Sequence, residues 1–119
     1  MPLNNPATAG PTHQEVVTAS RALDTTYQNT RGVPLYVAVS VLGSLANTEE
    51  VCRAYLRTDS SNPPTTDVMR IGVEFQDPAA TPVYRFGGLM VVLPGNYYKV
   101  AASISGGATL ALSLWVEWY

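Results

Sequence analysis

Arg53, Tyr55 and Arg57 stand at alternate positions of VCRAYLR (51–57), and Arg70 follows in VMRIGVEF (68–75). A strand sends alternate side chains to one face, so the first three share a surface, and Arg70 can lie across from them on a neighbouring strand. Guanidinium forks hold carboxylates through paired hydrogen bonds, and a tyrosine ring adds a flat partner. The chemistry open to this set is recognition of an acidic group, for instance one carried on a sugar. The same residues can instead form surface or intersubunit salt bridges with Glu49, Glu50, Asp67 or Glu74. Trp115 and Tyr119 fall in the polar-side register of the last apolar segment. They are expected on the surface, stacked on a sugar ring or anchoring a subunit contact. In VVLPGNYYKV (91–100), Tyr97 and Tyr98 are neighbours beside the chain's single lysine, Lys99. Adjacent strand residues point to opposite faces, so the two rings cannot form one clamp. Tyr98, which shares a face with Val100 and Ala102, is expected in the core, which leaves Tyr97 as the exposed candidate.

Residues for covalent or acid–base chemistry are sparse. His13, the lone histidine, stands among prolines with no Ser/Asp or Cys partner near it in sequence. A zinc site needs three or four suitable ligands, and one His with one Cys does not supply them. Cys52 is the only cysteine, so no internal disulfide forms, and its inward strand register makes it a buried, inert thiol. Glu49 and Glu50 are read as a solvated pair, with no apolar pocket to raise a pKa. FGGL (86–89) runs into a strand and not a helix, so it is no phosphate loop and its glycines mark a bulge or a close backbone approach. No catalytic, cofactor-binding or metal-ligating residue is assigned, and the expected protein is not an enzyme.

The chain has 119 residues, 46% of them hydrophobic and only 13% charged, with a formal net charge of −2. An average soluble domain carries roughly 25% charged residues. Such a surface must be covered by uncharged polar residues or buried against another chain. Seven scattered basic residues on an acidic chain argue against nucleic-acid binding. No signal peptide is visible, and the longest apolar run, LMVVL (89–93), is far short of the roughly 20 residues of a spanning helix, so no membrane insertion is expected.

The elements that must position these residues are strands. Alternating hydrophobicity marks 33–41, 51–57, 68–75, 89–93, 97–103 and 110–118, the last with Leu110, Leu112, Leu114, Val116 and Trp118 on its inward face. Turn chemistry separates them at 29–34, 60–67, 77–82, 94–96 and 105–107. PGN (94–96) is expected to join two adjacent strands, and SGG (105–107) to close a hairpin. One helical turn is expected over 44–51, with Asn47 as its cap. Residues 1–14, with Pro2, Pro6 and Pro11, are expected as an extended arm ahead of a domain at 15–119. Seven or eight short strands with regular turns predict an all-β antiparallel sandwich or jelly roll.

Residues 18–41, TASRALDTTYQNTRGVPLYVAVSV, resemble a segment near the C-terminus of tailed-phage and prophage tail-fibre proteins, matching at Arg21, Leu23, Thr26, Tyr27, Asn29, Thr30, Gly32 and Pro34. Pro94, Gly95, Tyr98, Lys99, Val100, Trp115 and Glu117 follow the same family's second half in order. The local chemistry agrees, since Asn29 and Thr30 can bond their own backbone in a sharp turn. The resemblance spans about residues 12–119. It implies a β-sandwich at the surface of a phage particle, assembled as a homotrimer, made in the host cytoplasm and working in host-surface attachment or particle architecture.

The family domain usually ends a long fibre, and these 119 residues contain no coiled coil or shaft repeat, so the sequence is expected to be either a fragment of a longer fibre or a stand-alone virion protein with an N-terminal arm. The arm would then dock on other virion proteins. Two further readings follow: a capsid decoration or head-fibre protein, and a free lectin-like module binding host-surface glycan.

Overall fold

The computed structural model describes residues 10–46, 50–75 (73–75 as backbone) and 83–119. Eight strands run in chain order: β1 (Gln14–Val16), β2 (Tyr27–Gln28), β3 (Leu35–Ser44), β4 (Glu50–Asp59), β5 (Asp67–Phe75), β6 (Val83–Val92), β7 (Tyr97–Ile104) and β8 (Thr109–Trp118), with a short 3-10 turn at Thr18–Ser20. They form two antiparallel four-stranded sheets, sheet A in the order β1-β8-β3-β6 and sheet B in the order β2-β7-β4-β5. The all-β sandwich expectation is borne out, and the strand order is jelly-roll-like. No helix among the described residues is long and apolar enough to cross a membrane.

Period-two patterning explains the core. In β3, Leu35, Val37, Val39 and Val41 are buried while their neighbours are half-exposed. Cys52, Ala54 and Leu56 of β4 oppose them from sheet B, with Met90, Val92, Tyr98 and Val100 completing the layer. At Gly88 a Cβ would lie 2.9 Å from Met69 Sδ and 3.2 Å from Leu56 Cδ2, so the missing side chain lets the sheets close. The strand pairs without a bulge there, Val39 with Gly88 and Ser40 with Gly87, so close approach is the correct reading of FGGL.

Three expectations are corrected. β6 and β7 flank Pro-Gly yet lie in opposite sheets, and so do β7 and β8 around residues 105–107. Neither turn closes a hairpin; only β4 and β5 are consecutive neighbours in one sheet. Turn residues dictate a chain reversal, but inner-face burial decides which sheet receives the next strand. Gly95 takes φ 81°, as a Pro-Gly corner allows, and its amide donates to the Asn29 carbonyl at 2.9 Å. The third correction concerns β8. Ser40 pairs with Leu114 but Val41 with Leu112, leaving Ser113 as an extra residue. That bulge shifts the facing by one position, so Leu110 and Leu112 turn inward before it, and Trp115 and Glu117 after it.

At the N-terminus, residues 1–9 of the expected arm lie outside the described residues. Thr12 and His13 donate backbone bonds to the Tyr119 carbonyl, both at 2.9 Å, and Gln14 opens β1 beside Trp118. Of the helical turn expected over 44–51, residues 47–49 are outside the description, and Ser44 and Glu50 are strand. The loop expected at 77–82 is outside it too.

Candidate functional site

The outer face of sheet B collects most of the residues singled out by spacing. Tyr55 stands at its centre, paired with Arg70 across β5 and with Ala101 across β7. Arg53 and Arg57 lie two residues to either side along β4 and share its face. Arg57 pairs with Lys99, and Tyr97 continues that row opposite Asp59. The guanidinium carbons of Arg57 and Arg70 lie 5.4 Å and 5.6 Å from the Tyr55 ring centroid. Arg53, Tyr55, Arg70, Ile71 and Gly72 surround a shallow hollow of about 280 Å³.

Two features build this hollow. Gly72 takes φ 144°, and a Cβ on it would fall 2.3 Å from the Cys52 carbonyl oxygen and 2.6 Å from Arg53 Cα. Only glycine fits there, and its bare backbone forms the floor beside Arg53. Asp67 ties the rim. It accepts from Arg57 Nε at 2.6 Å and pairs with Arg70 at 3.2 Å, and the Arg57 hydrogen bond holds its carboxyl below the usual range. The Tyr55 hydroxyl is pulled below the ordinary tyrosine range by hydrogen bonding to the Arg53 guanidinium and to Ser103. What the arrangement can do is bind a planar anion.

Trp115 and Tyr119 do not join this face. Trp115 is fully buried, the reverse of the expected exposed aromatic, because the Ser113 bulge turns it into the core. Tyr119 is half-exposed but already engaged. Its ring stacks on His13 at 5.0 Å, Arg31 lies 3.4 Å over its centroid, and its hydroxyl bonds to Glu15. His13, for which the sequence offered no neighbouring partner, is exposed and stacked on that ring.

Three polar residues prove to be structural. Glu117, unremarked as a charge in the sequence, is buried and lines a cleft of about 360 Å³ with Arg21, Asn29, Arg31 and Tyr98 among others. It accepts from Arg21 at 2.9 Å and 3.2 Å, from the Tyr98 hydroxyl at 2.8 Å and from Trp115 Nε1 at 3.0 Å. Burial and the Glu117 bond push the Tyr98 phenol well above its usual range. A single carboxylate saturated by donors is a clamp and not a proton shuttle. Glu50, expected in solvent, is buried as well. It accepts the amides of Ala46 (2.6 Å) and Gly107, fastening the β3–β4 turn to the β7–β8 turn. Cys52 is buried and donates to the Thr109 carbonyl at 3.3 Å, with burial raising its pKa.

Sequence spacing put Gly72 on the Arg70 face of its strand but did not single it out for a site, and it left Lys99 out as well. Lys99 had a legible signal, since it alternates with Tyr98 and so must face outward; pairing with Arg57 depended on strand order. Asn29 was legible, and its Oδ1 accepts the Arg31 amide at 3.0 Å in the expected turn while its Nδ2 donates to Val33 and Val92 carbonyls. Among the described residues, no group of three or more His, Cys, Asp and Glu could hold a metal. A scan of protein-family models finds no match for this chain, and a search of curated proteins finds none either.

Proposed function

We propose that this protein is a non-enzymatic surface module of a bacteriophage particle, self-associating as a trimer and presenting one sheet to the host surface. The observation that carries the reading is the contrast between the two outer faces. Val16, Val116, Ala38 and Leu89 pair in one continuous row across all four strands of sheet A. Tyr36, Trp118 and Val91 form the next row. Val16, Leu89, Val91 and Leu114 are 65%, 54%, 44% and 43% exposed. Among the described outward residues of sheet A, Arg85 alone is charged. A sheet face this apolar and this poor in charge is costly in water and suits a contact with copies of the same chain. Three such faces closed by rotation would make a prism with an apolar interior.

The tail-fibre resemblance of residues 18–41 supports the particle setting. Attachment is preferred to decoration because the opposite sheet gathers cations and tyrosines away from the apolar face. Gold-labelled antibody on purified particles, read by electron microscopy, tests the setting. Label at the tail end is expected; label spread over the head would establish the decoration reading, and absence from particles would overturn both.

A further inference from the structure

We propose that the outer face of sheet B binds a carboxylate-bearing polysaccharide, with the sugar's acid group held between Arg53 and Arg70 and its ring laid against Tyr55. The inference rests on the attachment reading and gives its ligand a chemical class. Charge distribution is the first support. The chain has seven Lys and Arg and a net charge of −2, yet four of the seven, Arg53, Arg57, Arg70 and Lys99, lie on this one face. Of the other three, Arg21 is paired with Glu117 and Arg31 lies over Tyr119, while Arg85 is on sheet A. Asp67 offsets part of the local charge, meeting Arg57 Nε at 2.6 Å and Arg70 at 3.2 Å and 3.3 Å, and Glu74 stands opposite Val51 at the Arg53 end of β5, while Arg70 remains 71% exposed. Asp59, at the far end, is occupied by loop amides.

Shape is the second support. Gly72 lines the hollow with Arg53 and Arg70, in a position where any side chain would collide with the β4 main chain. The resulting hollow of about 280 Å³ accommodates one sugar residue, not a long groove. Arginine forks match a planar carboxylate, and the tyrosine ring offers an apolar flat to a sugar face. Nucleic acid fits less well, because four cations on an acidic protein are too few for a phosphate track.

The test is calorimetric titration of the whole protein, in about 50 mM salt, with polysialic acid and with polygalacturonate. Neutral dextran, poly-glutamate and single-stranded DNA serve as comparison ligands. Both acidic polysaccharides are expected to bind, and Arg70→Gln and Arg53→Gln to weaken binding about ten-fold each. Arg85→Gln, on the opposite sheet, should leave it unchanged. Thermal melts of each variant separate lost binding from lost folding, and Tyr55→Ala supplies a second, uncharged disruption. No binding of either polysaccharide would overturn the proposal. So would equal affinity for dextran, poly-glutamate or DNA, or equal weakening by Arg85→Gln. These outcomes are independent of particle location: binding by a protein absent from particles would remove the phage reading and keep the site, and the converse result would do the opposite.

Discussion

Glu117 shows how one residue can fasten a fold without performing chemistry. Its carboxylate joins the end of β8 to Arg21, to Tyr98 on β7 and to Trp115. Removing one partner of a buried pair strands the other, at a cost of about 3–5 kcal/mol. Glu117→Ala is therefore expected to lose about 3 kcal/mol or more in chemical denaturation, and Tyr98→Phe about 1–2 kcal/mol. Tyr98 also makes a pH prediction. Its folded pKa lies above the ordinary value of about 10, so its contribution is complete below that pH and is lost as pH rises through the folded pKa. In an ultraviolet titration of the seven tyrosines, one should stay protonated until alkaline unfolding, and Tyr98→Phe should abolish that late step. If Tyr98 ionises in the native protein before unfolding, the clamp is wrongly described. At this scale the sequence was legible where alternation is unbroken: Tyr98 inward, Cys52 buried, Arg53 and Tyr55 outward. It misled at Trp115 and Glu117 because a one-residue bulge leaves no mark in hydrophobic periodicity when both registers, Leu-Leu-Leu and Trp-Glu, contain large side chains.

Among elements, β8 and the β4–β5 loop are the most informative. Deleting Ser113 would remove the bulge and rotate Trp115 and Glu117 outward or Leu110 and Leu112 out of the core. Either choice exposes core residues, so the deletion variant is expected to lose native tryptophan fluorescence and cooperative melting. The β4–β5 loop is organised by Asp59, which accepts the amides of Ser61, Thr65 and Thr66 at 2.7–2.9 Å. Those bonds, that of Thr65 foremost, depress its pKa. The loop's stabilisation is thus present above the ordinary carboxylate value of about 3.9 and lost as pH falls through the folded value. Amide exchange at Ser61, Thr65 and Thr66 should quicken on acidification, and Asp59→Asn should quicken it at neutral pH. Unchanged exchange in both would contradict the loop's dependence on the carboxylate. Strand existence was legible in the sequence, but sheet membership was not. A Pro-Gly corner looks the same whether it closes a hairpin or carries the chain from sheet A to sheet B.

At the scale of the whole molecule, the proposal divides labour between the two outer faces. The low charge content of the sequence left two expectations for the surface, cover by uncharged polar residues or burial against another chain. The apolar row proposed for self-association exists only through the strand order, because Val16, Val116, Ala38 and Leu89 come from four distant segments. The cation-bearing face likewise required β4, β5 and β7 to be neighbours.

Light scattering on the purified protein, beside Leu89→Lys, tests the central claim most directly. The account predicts about 38 kDa, three copies of the 12.8 kDa chain, and a return to 12.8 kDa in the variant with its melting temperature still measurable. A wild-type protein that stays at 12.8 kDa at high concentration, or a variant that associates as well as wild type, would contradict it.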